Sequence, residues 1–159
     1  MVYLGESMSS YTILLVEDNE DDVFLMKRAL RGAGITNPLQ IAEDGQAAID
    51  YLAGVGAYAD RTLTPLPMIV FLDLKLPYKS GHEVLEWIRQ QPHLKTLVVI
   101  VLTSSNERVD LERAYKFGAN SFVVKPPTTV LLQKLVESFK LWWLTHNQGT
   151  AILPAASDS

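Results

Sequence analysis

The chain has 159 residues, a formal charge of −4, 48% hydrophobic and 20% charged residues, the size and balance of one globular domain with a buried core. It contains no cysteine, which excludes disulfides, thiolate catalysis and cysteine-ligated metal and fits a reducing cytoplasm. The mildly acidic balance argues against a DNA or RNA binder. The N-terminus lacks a secretory pattern, and the longest apolar run, Leu97 to Leu102, is too short to span a membrane.

Short apolar runs alternate with amphipathic ones along the chain. Ile13 to Val16 reads as a buried strand that ends in an acidic cluster, followed by a helix from Glu20 to Arg31 with Val23, Met26 and Leu30 on one face and the glycines Gly32 and Gly34 at its end. Leu39 to Ala42 is a second strand and Gln46 to Leu52 a second helix. Gly54 to Pro67, with its glycines and prolines, is a loop that is long for a compact domain. Met68 to Leu72 is a third strand, ending at Asp73. Pro77 and Gly81 precede a helix carrying Val84, Leu85 and Ile88. Leu97 to Leu102 is a fourth strand; Ser104 and Glu107 have the spacing of a capping box for the helix that follows, which ends at Gly118. Ser121 to Val124 is a fifth strand closed by Lys125-Pro126-Pro127. Thr128 or Thr129 caps a last helix reaching to about Asn147. Residues 1–10 read as an extension, 11–147 as one domain and 148–159 as a flexible tail.

Five β-α units with continuously apolar strands imply a parallel sheet covered on both faces, hence a doubly wound α/β sandwich. Ligands of such sheets bind outside the carboxyl ends of the strands. The residues expected there are Glu17 and Asp18 after the first strand, Asp73 after the third, Thr103 and Ser104 after the fourth, and Lys125 after the fifth. Three carboxylates packed together repel unless a cation joins them. Oxygen donors without histidine or cysteine favour a hard ion such as Mg²⁺. Thr103 and Lys125 are suited to binding a phosphoryl group carried on a carboxylate. Each residue alone also fits a helix cap, a turn or a solvated loop; acid, acid, hydroxyl and ammonium together at four strand ends is the specific signal.

The segments Ile13 to Asp18, Val70 to Pro77 with Gly81, Val101 to Ser104 and Gly118 to Pro126 resemble response-regulator receiver domains over about residues 11 to 147. The resemblance implies a flavodoxin-like five-stranded parallel sheet of order 2-1-3-4-5 with five helices. By this resemblance Asp73 is the phosphoacceptor, Asp18 a Mg²⁺ ligand, and Glu17 a second acid whose longer side chain implies contact through water. The Lys75 backbone carbonyl is the third protein ligand, and Thr103 and Lys125 bind the phosphoryl group. Ser104 leaves room for that group. Phe122 is the switch aromatic and lacks the hydroxyl of the more frequent tyrosine.

The loop Gly54 to Pro67 and the tail Phe139 to Trp143 look like the small regulators paired with phytochrome-type histidine kinases. No effector domain is expected after the receiver, so output should be protein contact or relay to a downstream phosphotransfer protein. Trp142, Trp143 and Leu144 fan over roughly 200° of a helix, too wide for one buried stripe, so a homodimer with Trp142 or Trp143 at its contact is expected. Three rivals share parts of the pattern, one of them a phosphorylation-independent interaction module, which would show damage at the rim where the sequence shows none. A flavodoxin would need a phosphate-cradling first loop where Glu17 to Asp22 is acidic. A haloacid-dehalogenase phosphatase would need an acid where Lys75 stands.

Overall fold

The computed structural model describes residues 11–141. Five strands, β1 (Ile13–Val16), β2 (Leu39–Ala42), β3 (Ile69–Leu72), β4 (Val98–Thr103) and β5 (Ser121–Val124), alternate with helices α1 (Glu20–Gly32), α2 (Gly45–Ala53), α3 (Gly81–Gln90), α4 (Arg108–Lys116) and α5 (Thr129–Phe139). All strand pairs are parallel and the order is β2-β1-β3-β4-β5, as the resemblance implies.

The unbroken apolar strands follow from burial on two sides. Successive side chains of a strand point to opposite faces. Leu14, Val16, Val70, Leu72, Val99 and Val101 therefore face one core, with Leu52, Val84, Leu85 and Ile88 of α2 and α3. Ile13, Leu15, Ile69, Phe71, Ile100 and Leu102 face the other, with Met26 and Leu30 of α1 and Leu132 and Val136 of α5. At roughly 1.5–3 kcal/mol per fully buried aliphatic side chain, these two layers are the main force fixing the sheet.

Helix starts are set locally. Asn19 accepts from the Asp22 N–H, Asp44 from Ala47 and Thr128 from Leu131. Ser80 and Glu83 form a reciprocal capping box on α3. The box expected from Ser104 and Glu107 does not form. The Glu107 N–H that Ser104 would have to accept donates instead to Ser105 Oγ at 3.3 Å, and Glu107 is itself the N-cap of α4, without a side-chain cap bond. The long loop after α2 also differs from an open connection. It contains a short 3-10 turn, Gly56–Tyr58. Arg61 from the loop donates to the carbonyls of Tyr51, Leu52 and Thr64 at 2.7, 2.9 and 3.0 Å. The last helix runs to Phe139, whose ring meets Phe71 edge-on at 5.6 Å; residues 142–147 of its expected course, with Trp142 and Trp143, lie outside the described residues.

The registers place Val16 opposite both Ala42 and Leu72, Leu72 opposite Val101, and Thr103 opposite Val124. The residues that follow β1, β3 and β5 therefore emerge on one rim, beside the end of β4.

Candidate functional site

Glu17 and Asp73 leave β1 and β3 still buried, 3% and 7% exposed, whereas Asp18 points out to solvent. One carboxylate oxygen from each of the three lies within 4.8 Å of the others. Gly81 makes this possible. A Cβ there would collide with the Asp73 carbonyl oxygen, and the Gly81 N–H donates to Leu74 O at 2.8 Å, folding the chain tightly behind the acid.

Carboxylates this close need a counter-charge. Lys125 supplies it from the end of β5: its Nζ donates to Glu17 Oε2 at 2.7 Å, Asp22 Oδ2 at 2.8 Å and Asp73 Oδ2 at 3.1 Å. An ammonium has three protons, and all three are used. The other oxygens of Glu17 and Asp73 are placed as well. Glu17 Oε1 accepts from the Asn19 N–H at 3.1 Å, and Asp73 Oδ1 from the Leu74 N–H at 2.7 Å.

One ammonium among three carboxylates leaves charge unbalanced. Burial pushes the Glu17 carboxyl up to about 7; the hydrogen bond from Lys125 opposes this and the Asp73 charge adds to it. Burial alone would lower Lys125, but its bonds to Asp22 and Glu17 and the charge of Asp73 outweigh that and hold the ammonium above the usual lysine range. The site thus carries surplus negative potential on oxygen donors alone. That donor chemistry fits a hard divalent cation such as Mg²⁺ and not zinc.

Thr103, at the end of β4, is fully buried, and its Oγ1 accepts from the Ser105 N–H at 3.3 Å. Ser104 and Lys75 are exposed at the rim. Phe122 is half-buried against the α2–α3 core and pairs with Val101 in the ladder. Its backbone N–H donates to the hydroxyl of Tyr115 on α4 at 3.2 Å.

The structure brings Glu17, Asp18, Asp73 and Lys125 together, with Thr103 on the adjacent strand end. Sequence reasoning missed Asp22, which it read only as part of an acidic run. Its signal is its place in the first turn of α1, three residues after the Asn19 cap, directly above the rim. A second polar group was missed because its members come from separate elements: Ser105, Asp110 of α4 and His82 of α3.

The sequence matches the family described as "Response regulator receiver domain" over residues 13–137. The chain is similar to response regulator Rcp1 of Synechocystis sp., 38% identical over 151 residues that cover 95% of this chain and 98% of that one. A crystal structure of the Mn²⁺-bound form of Rcp1 superposes with a TM-score of 0.77 at 36% identity, covering 91% of this chain and 99% of that one. The phosphorylated cyanobacterial phytochrome response regulator RcpA superposes with a TM-score of 0.80 at 33% identity, covering 87% and 96%. The protein described as "Probable methanogenesis regulatory protein FilR2", from Methanothrix harundinacea, is 40% identical over 144 residues, 91% of this chain and 90% of that one. The fold, the rim of acids around Lys125 and these similarities agree: the chain belongs to the response-regulator receiver family.

Proposed function

We propose that this chain is a single-domain response regulator of a two-component phosphorelay, accepting a phosphoryl group on Asp73 from a sensor histidine kinase of the phytochrome type. The observation that carries the reading is Lys125 Nζ bonded at once to Glu17, Asp22 and Asp73. It marks a buried acid with a cation poised beside it.

Asp73 Oδ1 is engaged by the Leu74 N–H, so Oδ2, on the Lys125 side, is the attacking oxygen. As the new O–P bond forms, the P–N bond of the donor phosphohistidine breaks. The leaving nitrogen keeps the electron pair and takes a proton from water. Lys125 then passes from carboxylate to phosphoryl oxygen, and the Thr103 hydroxyl donates to another. Ser104 is small enough to leave the group room. Asp18, Asp73 and the Lys75 backbone carbonyl, with Glu17 through water, would hold Mg²⁺, which when bound would supply the charge neutralisation that lets a phosphoryl group approach these acids. The chain catalyses only its own phosphorylation and dephosphorylation.

Movement of Thr103 toward the phosphoryl group couples to Phe122, changing the α4–β5–α5 surface as output. Output is protein contact or relay to a downstream phosphotransfer protein in the cytoplasm, from a homodimer with Trp142 or Trp143 at its contact. The similarity to Rcp1 and RcpA and the loop 54–67 support the phytochrome pairing.

Mixing the protein with phytochrome-type and unrelated kinases carrying radiolabelled phosphohistidine tests this. Transfer should be Mg²⁺-dependent, fastest from the phytochrome-type kinase and lost in Asp73→Asn; label retained by Asp73→Asn would refute the acceptor, and equal rates from all kinases the pairing. Sedimentation should find two chains in wild type and a shift toward one in a Trp142→Ala, Trp143→Ala variant; a wild type that stays monomeric at high concentration, phosphorylated or not, removes the dimer.

A further inference from the structure

Beside the acidic rim, three polar side chains that have no part in binding metal or phosphoryl form a line of hydrogen bonds. His82, in the first turn of α3, is 5% exposed; its Nε2 lies 3.3 Å from Asp110 Oδ1 on α4, and its Nδ1 is buried without a hydrogen-bond partner. The other Asp110 oxygen accepts from Ser105 Oγ at 2.5 Å. Ser105 Oγ in turn accepts from the Glu107 N–H, and the Ser105 N–H donates to Thr103 Oγ1, both at 3.3 Å. An ionised carboxylate only accepts, so the proton of the imidazole pair sits on Nε2, and the one Ser105 hydroxyl proton points to Asp110. The bond from Ser105, opposed by burial and aided by His82 and Lys75, holds the Asp110 carboxyl below the usual range.

The line runs from the end of β4 through the start of α4 to α3, and it begins at the hydroxyl that is to bind the phosphoryl group. We propose that His82, Asp110 and Ser105 are positioning residues that hold Thr103 and the start of α4 in the resting arrangement, against which phosphorylation must work. If the Thr103 hydroxyl turns to a phosphoryl oxygen on Asp73, the Ser105 N–H loses its acceptor. The segment cannot follow Thr103 while Ser105 Oγ is tied through Asp110 to His82. The anchor therefore favours the resting state of a two-state element, and weakening it shifts the population toward the active one. This inference rests on the proposed phosphorylation of Asp73.

Beryllofluoride, a phosphoryl mimic, titrated with Mg²⁺ and followed by amide NMR, gives the test. His82→Phe keeps a ring of similar size without the donor. Ser105→Ala removes one oxygen and keeps the test open if His82→Phe does not fold. Each should bind beryllofluoride roughly three- to tenfold more tightly than wild type, as expected for losing one hydrogen bond that exists only in the resting state. In a Thr103→Ala background the same substitutions should change affinity by less than about twofold, because the residue through which they act is gone. A packing role alone would weaken binding or leave it unchanged, and either result in folded variants overturns the proposal, as does equal tightening without Thr103. Wild type that fails to bind beryllofluoride overturns the functional reading itself, and this inference with it.

Discussion

Removing the Lys125 ammonium leaves Glu17, Asp22 and Asp73 facing one another across the rim without a counter-charge. In metal-free buffer Lys125→Ala should lose stability on the order of 3 kcal/mol, the scale for stripping one partner from a buried ion pair. Lys125 also competes with any cation for the same carboxylates, so the variant should bind Mg²⁺ more tightly by calorimetry while accepting phosphate poorly. Equal urea midpoints of variant and wild type in the absence of metal would contradict this charge balance. Gly81 carries the second consequence: Gly81→Ala forces a Cβ against the Asp73 carbonyl oxygen. The loop must shift, and a loss of roughly 1–3 kcal/mol with slower phosphorylation should follow. A variant as stable and as fast as wild type would show that the turn has slack. Glu17, Asp73 and Lys125 were legible in the sequence because each directly follows a strand, and Asp18 because it stands one residue further on. Asp22 was not, since a first-turn acid is equally explained by the helix dipole. The expected Ser104 cap failed because the neighbouring Ser105 hydroxyl, already tied to Asp110, takes the Glu107 N–H.

The loop between α2 and β3 is held by buried polar contacts. The Tyr51 hydroxyl donates to Pro65 O at 2.7 Å, and Arg61 lies over the Tyr51 ring. Burial pushes the Tyr51 phenol from 10.0 up to about 12, with Arg61 pulling it back and Tyr58 adding to the rise. A folded-state value raised above the unfolded one contributes stability that is full below pH 10 and fades as the pH climbs to about 12. Wild type should therefore lose stability across that window, by an amount on the order of 2–3 kcal/mol. Tyr51→Phe should be about 1 kcal/mol less stable below it, with a shallower alkaline slope. Identical slopes in urea unfolding would contradict the burial argument. Arg61→Ala should speed amide exchange across residues 54–67 and leave β1 and β3 protected; unchanged exchange would mean the loop is held by something else. None of this could be read in the sequence, because the Arg61 acceptors are backbone carbonyls and carry no residue signature. The capping of α5 by Thr128 was local and was read from it.

At the scale of the molecule, the two-sided sheet explains why strand periodicity was absent from β1 and β3: alternate residues enter two different cores, so every position of these two strands is apolar. Apolar runs alternating with helices made a parallel sheet legible in the sequence, whereas strand order came only through the family resemblance. The rim exists because three registers align the ends of β1, β3, β4 and β5, bringing together residues as far apart as Glu17 and Lys125. Among the described residues no helix is long and apolar enough to cross a membrane. The central claim is that this rim makes Asp73 a covalent phosphoacceptor, and borohydride trapping tests it most directly. After incubation with Mg²⁺ and acetyl phosphate, reduction should convert an aspartyl phosphate to homoserine. Mass spectrometry should then find homoserine at position 73 and nowhere else, dependent on Mg²⁺ and absent without the phosphodonor. Aspartate still intact at position 73, or homoserine at Asp18 or Asp22 instead, would contradict it.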